Sequence, residues 1–465
     1  MSHRKVMAKK SAAARKTVSS ANLIELGADR LAVLLLEAAT GNANLKRRLK
    51  LELAAEVGAA DLALEIDKRM TALAASRTRV SWRKRPELID DLSIHLDFIA
   101  DRLAGLDAGL ALGRIVAWFD LYPGLASRVK DPKGELSALF FDAAPDLARV
   151  ASAADPEVVG PVLFEALQTR LSDWGGWIGR AAPDLNEPVA GDLLARLTDG
   201  RPRPTGRLAL VVRKLADRTG DVQAWADAIP DIEKSKPDVG AEIARRLAAS
   251  GRVADARVAL EASRPRPPTA SKWALRTGSV PQVEPSDVWD AAEIVVLEAE
   301  GAADEAQTQR WALFERTLSA ETLRAFIGRL PDFDDVEALD RAQAVAAAWP
   351  DAARGLAFLM NWPALREAAA MVLTRAVDLR LDAEQTALWS GRLAGRYPNA
   401  ALSLIRARAR LLCRQGLGRS DEVRALSAEA AGMTDTPGAL DGIVPHAEFI
   451  DELEALSRPG RPGWR

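Results

Sequence analysis

Cysteine and histidine, which most metal sites and many catalytic sites require, are scarce in this chain of 465 residues. It contains one cysteine and three histidines. A single cysteine excludes an intramolecular disulfide and a cysteine-rich zinc site. Cys413 ends the apolar run SLIRARARLLC, which predicts a buried structural thiol. A zinc ion needs at least three converging protein ligands, so no metal site is expected.

His95 is the only histidine whose position is compatible with chemistry, because His3 and His446 lie near the chain ends. It follows Asp91 by four residues and therefore shares a helix face with it. It also flanks an apolar stripe, which is typical of a packed histidine. We interpret His95 as structural.

Recognisable catalytic motifs are absent as well. The sequence has no phosphate-binding loop, no nucleophile elbow, no H-E-x-x-H pair and no dinucleotide fingerprint. Carboxylate pairs such as Asp90-Asp91 and Asp334-Asp335 are typical of solvated helix ends. We expect no enzymatic activity and no cofactor, while a site built from Asp and Glu alone stays open as the least favoured alternative.

Long apolar runs are also missing. The longest, Leu31 to Leu36, is far too short to cross a bilayer. The basic N-terminal residues are not followed by the apolar segment of a secretory signal. We therefore expect a cytoplasmic protein without a membrane partner.

Strand-favouring residues are few, with two Tyr and ten Phe, whereas Ala, Leu and Arg dominate. Together with helical periodicity along most of the chain, this predicts an all-α fold. Asn22 and Glu25 have capping-box spacing and predict the first helix start. Pro86 begins a long predicted helix whose apolar stripe is Leu88, Leu92, Leu96, Ile99, Leu103 and Leu106.

Several segments resemble an uncharacterised family of helical bacterial proteins with no assigned activity. They include NLIELGADRLAVLLLEAATGN, RMTALAASRTRVSW, the long stretch from DDLSIHLDFIADRL to DAAPDLARVA, and YPNAALSLIRARARLL. Members of that family tend to have a more acidic turn where this chain reads KDPKGE (Lys130–Glu135). The resemblance implies a helical fold, implies no chemistry, and argues against a metal-binding turn here.

Four segments share a leucine, a turn glycine and a second helix. The turn glycines are Gly220, Gly251, Gly301 and Gly416. The pattern Leu-x3-Gly-x3-[Asp/Glu]-Ala resembles tetratricopeptide repeats, although the spacing is irregular. It predicts degenerate antiparallel helical hairpins stacked as an irregular α-solenoid.

Composition predicts five segments along the chain. They are a disordered basic tail (1–19), an N-terminal helical domain (20–263), a Pro-rich linker (264–285), a C-terminal helical-repeat domain (286–435) and a loosely ordered C-terminal segment (436–465). Within the second domain, Asp382 and Gln385 predict another capping box.

Charge is unevenly distributed. Residues 1–85 hold 18 Lys and Arg against 8 Asp and Glu, although the whole chain has a net charge of −2. The candidates for binding an anionic partner are Arg47, Arg48, Trp82, Arg83, Lys84 and Arg85. Basic groups around an aromatic can bind a phosphate backbone and stack a base. We favour the alternative, in which Trp82 anchors a turn in the core and the arginines pair with the acidic remainder of the chain.

The run LSDWGGWIGRAAPD (171–184) interrupts the helical pattern, so we expect a loop around Gly175-Gly176. Trp174 and Trp177 on this loop are expected to pack onto the helices. The alternative is that both line a ligand groove.

These observations favour a non-catalytic helical-repeat protein that acts as a scaffold for another protein. The first alternative is a nucleic-acid-associated protein that binds through residues 1–85. The second is an enzyme with a carboxylate-based site.

Overall fold

The computed structural model describes residues 18–267, 283–434 and 443–457. Regular structure in these ranges is helical, apart from one isolated parallel bridge between Val80 and Val129, so the all-α prediction is confirmed. None of the helices in these ranges is long and apolar enough to cross a membrane. The chain divides into two compact units, Met1–Glu233 and Lys234–Arg465.

The first unit contains fourteen complete helices, and a fifteenth crosses its boundary. Their bounds are α1 Ser20–Ile24, α2 Ala28–Thr40, α3 Ala43–Val57, α4 Ala59–Ala75, α5 Arg85–Asp97, α6 Ala108–Phe119, α7 Tyr122–Ala126, α8 Glu135–Asp142, α9 Ala144–Ala153, α10 Pro156–Thr169, α11 Leu171–Ala181, α12 Glu187–Thr198, α13 Gly206–Thr219, α14 Val222–Asp227 and α15 Asp231–Lys234. Short π-helical (Phe98–Leu103), α-helical (Ala104–Leu106) and 3-10 (Ala182–Asp184) turns supplement them.

The N-terminal cap differs from the prediction. Ser19, and not Asn22, caps α1, because its side chain accepts a hydrogen bond from the Asn22 backbone N–H. Gly27 then adopts a φ of 80°, which ends this short helix and begins α2. The predicted single helix is therefore divided in two.

The predicted helix that begins at Pro86 is present, and it continues from α5 through the π-helical turn to Leu106. Five of its six predicted stripe residues are buried, and Leu106 is exposed. Helix α5 packs against α3 and α8. It therefore lies at the centre of the region that carries the basic residues.

The predicted loop at 171–184 is wrong. Residues Leu171–Ala181 form α11, which passes through both glycines without a break. A Cβ on Gly175 would lie 3.8 Å from Val211 Cγ2 of α13. The glycine thus permits a close approach of two helices, which the sequence pattern does not distinguish from a turn.

The second unit contains twelve complete helices in its described residues. They are α16 Pro237–Ala249, α17 Val253–Ala262, α18 Asp287–Glu300, α19 Ala303–Thr317, α20 Ala320–Ile327, α21 Asp334–Ala347, α22 Ala352–Asn361, α23 Leu365–Arg375, α24 Ala383–Ala394, α25 Pro398–Arg414, α26 Asp421–Thr434 and α27 His446–Ser457.

The hairpin α16–α17, which we predicted at the end of the first domain, lies in the second unit. The Trp289 indole N–H donates to Leu260 O at 3.0 Å, and Ser286 Oγ donates to Asp238 Oδ1 at 3.0 Å. These contacts join the helices on both sides of the Pro-rich segment. Composition marks that segment, but its flanking helices pack together.

The turn glycines behave as predicted. Gly220, Gly251, Gly301 and Gly416 all have positive φ, between 70° and 81°. Asp382 and Gln385 form the predicted capping box at the start of α24. Most of the basic tail (1–17), residues 268–282 of the Pro-rich segment, and residues 435–442 and 458–465 lie outside the described residues.

Candidate anion-binding site

Asp91 is the centre of the basic region. This α5 carboxylate is 1% exposed. Its Oδ1 accepts a hydrogen bond from Arg47 Nη1 of α3 at 3.1 Å, and its Oδ2 accepts one from Arg69 Nε of α4 at 2.7 Å. Asn44 supports Arg47 by accepting a second bond from Nη1 at 2.6 Å. One carboxylate therefore positions two guanidinium groups and neutralises one of them.

His95 lies on the protein side of this arrangement. It is buried, and its Nδ1 donates to the Asp91 backbone carbonyl at 2.7 Å. Burial lowers the pKa of His95, and the nearby Arg69 and Arg47 charges lower it further, against the opposing effect of Asp91. The imidazole is therefore neutral and structural, as we interpreted it. No group of three or more His, Cys, Asp or Glu side chains suited to a metal occurs in the described residues.

Arg128 supplies a third guanidinium to the same region. Its Nη2 donates to Leu73 O at 2.9 Å and its Nη1 donates to Thr78 O at 3.2 Å. Both acceptors belong to the end of α4 and the segment that follows it, so Arg128 satisfies a carbonyl at the helix C-terminus. Burial lowers the pKa of Arg128, and the Arg69 charge adds to this effect. The two cations therefore lie within electrostatic range of each other.

These side chains line an open cleft of about 320 Å³, which we call the basic cleft. Its charged lining consists of Arg47, Arg69, Arg79, Lys84 and Arg128 against Glu87 and Asp91. Arg79 and Lys84 are exposed and form no ion pair with the described residues. The cleft thus carries more positive charge than its own carboxylates neutralise.

The expectation that Trp82 anchors a turn in the core is wrong. Trp82 is 64% exposed, and the Arg83 guanidinium lies 5.2 Å from its ring centroid. Val80 fixes this segment instead, because its backbone N–H donates to Arg128 O at 3.0 Å. The aromatic side chain is left at the surface, between two residues that line the basic cleft.

Arg85 does not belong to the anion-binding candidates. It is 8% exposed, and its Nε lies 2.8 Å from Glu135 Oε2. Its Nη1 also donates to Lys130 O at 2.9 Å. Arg85 therefore ties the turn Lys130–Glu135 to α5, and internal acceptors occupy its donors. Arg48 is exposed but does not line the basic cleft.

Trp174 and Trp177 do not line a groove. They are 1% and 5% exposed, and their ring centroids lie 5.3 Å apart. Phe119 contacts both rings, and the Trp174 indole N–H donates to Asp120 Oδ1 at 3.0 Å. The pair is part of the aromatic core of the first unit, consistent with the packing expectation.

A model of the family of unknown function DUF6880 matches residues 13–200 and 165–453. The chain belongs to this family. The expected resemblance to an uncharacterised helical family is therefore confirmed. No curated protein and no solved structure matches the chain. Membership in DUF6880 assigns no activity, so the chemistry of the site has to be argued from its residues.

Sequence reasoning found Arg47 and Lys84 but missed Arg69 and Arg128. Arg69 is an isolated arginine on α4, and Arg128 lies 55 residues beyond the Leu73 carbonyl to which it donates. Neither stands in a run of basic residues. The contacts that bring them together are long-range, so a local charge count does not find them.

Proposed function

We propose that this protein is a non-catalytic helical scaffold that binds another protein, and that the basic cleft receives an acidic segment of this partner. The observation that carries the proposal is the lining of the cleft, where five cationic side chains face two carboxylates. Electrostatic complementarity of this kind steers a charged partner and selects it against others.

A second part of the proposal concerns architecture. We propose degenerate tetratricopeptide-like hairpins, arranged as an irregular solenoid in a bacterial cytoplasmic protein. The support is that α16 packs against α17, α18 against α19, and α25 against α26, each pair joined by a turn that contains a positive-φ glycine. Arrays of such hairpins commonly offer an extended surface to a partner.

The test is titration of the full-length protein with a fluorescein-labelled peptide of alternating Glu and Ala, followed by anisotropy. We expect binding at about 20 mM salt that weakens strongly at about 300 mM. The double variant Arg79→Glu, Lys84→Glu should lose it. Arg77→Glu is the matched control, because Arg77 is exposed close by in sequence but does not line the cleft. Absence of binding at the lower salt contradicts the proposal.

A nucleic-acid-associated function is the second candidate, and the exposed Trp82 with Arg83 over its ring favours it. An exposed aromatic beside basic groups can stack a nucleobase. Labelled oligothymidylate is the probe. Tighter binding than that of the Glu-Ala peptide, lost in Trp82→Ala, supports this candidate and replaces the first one.

An enzyme with a carboxylate-based site has the least support. Burial raises the pKa of Asp97, together with the charges of Asp101 and Asp146, and burial also raises the pKa of Glu293. Asp97 and Glu293 belong to different units, and neither lines the basic cleft. A shared catalytic cleft that uses both is therefore not supported.

A further inference from the structure

We infer that the basic cleft is a phosphate-binding site, which takes the phosphomonoester dianion of a phosphorylated side chain on the partner protein. This inference rests on the proposed function and specifies its ligand. Three features of the cleft carry it: the shared carboxylate of Asp91, the fixed guanidinium of Arg128 and the surplus of positive charge.

The first feature is the way in which Asp91 uses its two oxygens. Oδ2 takes both Nε and Nη2 of Arg69, at 2.7 and 2.6 Å, which leaves Nη1 of Arg69 without an acceptor in the described residues. Oδ1 takes Nη1 of Arg47, which leaves Nε and Nη2 of that residue in the same condition. Asp91 therefore holds both guanidinium groups while each keeps donors for a ligand.

The second feature is the rigidity of Arg128. Its Nη1 and Nη2 donate to backbone carbonyls at the end of α4 and beyond, so the guanidinium plane is fixed before any ligand binds. Its Nε donates to no described residue. A planar guanidinium with free N–H groups matches two oxygens of a phosphate, and prior fixation reduces the entropy lost on binding.

The third feature is the amount of charge. Five cationic side chains against two carboxylates leave a surplus of three positive charges in the lining. A single carboxylate neutralises one of these charges, whereas a phosphomonoester supplies close to two negative charges and three acceptor oxygens. The cleft is therefore better matched to a phosphoryl group than to an Asp or Glu side chain.

The shape of the basic region favours a phosphorylated side chain over a nucleic-acid backbone. The backbone of a nucleic acid carries one charge per phosphodiester and is bound along an extended basic groove. Here the free cations converge on one cleft of about 320 Å³. Arg85, which would extend the row, is buried against Glu135.

The experiment compares three labelled peptides that are identical except for one central residue: phosphoserine, glutamate or serine. Each is titrated into the full-length protein at low salt. We expect the phosphoserine peptide to bind at least about tenfold more tightly than the glutamate peptide. Inorganic phosphate should displace it.

Two variants locate the site. Arg79→Ala with Lys84→Ala should reduce the phosphoserine preference without affecting the fold, because both side chains are exposed. Arg77→Ala is the matched control and should leave the preference unchanged. Arg128→Lys keeps the charge and removes the planar fork, so it should weaken phosphoserine binding more than glutamate binding, with its fold checked by circular dichroism.

The outcomes separate this inference from the proposed function. Equal affinity for phosphoserine and glutamate, with loss of both in the cleft variant, overturns the phosphate inference and leaves the acidic-segment proposal standing. Failure of both peptides to bind overturns both. A phosphoserine preference that persists in the cleft variant overturns the assignment to this cleft. Oligothymidylate that displaces the phosphoserine peptide at equal charge overturns it in favour of nucleic acid.

Discussion

At the scale of single residues, neighbouring arginines in the sequence have different roles. Arg85 is buried and paired with Glu135, whereas Arg83 is exposed and lies over the Trp82 ring. The sequence shows only a basic run, since burial depends on contacts with residues about 50 positions away. Charge was therefore predictable from the sequence, but the division of that charge between the core and the surface was not.

Arg85→Met should lower the free energy of unfolding by about 2 kcal/mol. The change leaves Glu135 without its partner, and the partial exposure of Glu135 keeps the loss below that for a fully buried pair. Urea unfolding followed by circular dichroism measures it. Arg83→Met, the exposed neighbour, should change the same quantity by no more than about 0.5 kcal/mol. Equal effects of the two substitutions would contradict the assigned role of Arg85.

His95 should make stability depend on pH. Burial lowers its pKa in the folded protein, so the unfolded chain binds the proton more readily. The stability due to this group is complete above the unfolded pKa, about 6.5. It is lost as the pH falls from there through the folded pKa. His95→Asn, which retains a donor but does not titrate, should show a smaller loss between about pH 7.5 and pH 5.5. Parallel urea midpoints for both proteins across this range would refute the prediction.

At the scale of helices, the elements differ greatly in how much they bury. Helix α2 buries only Ala39, while α25 buries eleven residues. Sequence patterns predicted both helices because local apolar content is similar. They did not predict burial, since this depends on the neighbours that each helix meets. Glycine gives the same lesson: Gly251 forms the predicted turn, but Gly175 lies inside α11.

Amide hydrogen exchange should follow this difference. We expect α2 to exchange early, because few apolar contacts hold it, and α25 to be among the last helices of its unit to exchange. Exchange followed by mass spectrometry at neutral pH provides the comparison. Protection of α2 equal to that of α25 would mean that another surface covers α2 in solution.

At the scale of the whole molecule, the division at Glu233 and Lys234 falls where composition gives little indication. The Pro-rich segment predicted a boundary 30 residues further on, because prolines usually mark linkers. The indole of Trp289 nevertheless hydrogen-bonds to Leu260 across that segment. Contacts between helices, and not the residues that join them, define the unit.

Fragments should therefore differ in stability. A fragment of residues 234–465 is expected to unfold cooperatively. A fragment of residues 286–465, cut at the predicted linker, should unfold at lower temperature because α18 loses the hairpin α16–α17. Calorimetry of both fragments compares them. Identical melting temperatures would mean that the hairpin contributes nothing to the second unit.

The position of Arg128 couples two processes that are usually studied apart. The same guanidinium satisfies the end of α4 and lines the basic cleft. Any ligand that binds this folded arrangement, and not the unfolded chain, must raise the melting temperature by mass action. Thermal shift against a panel of phosphorylated and carboxylated compounds thus becomes a ligand screen in which the protein reports its own occupancy, with no partner identified beforehand.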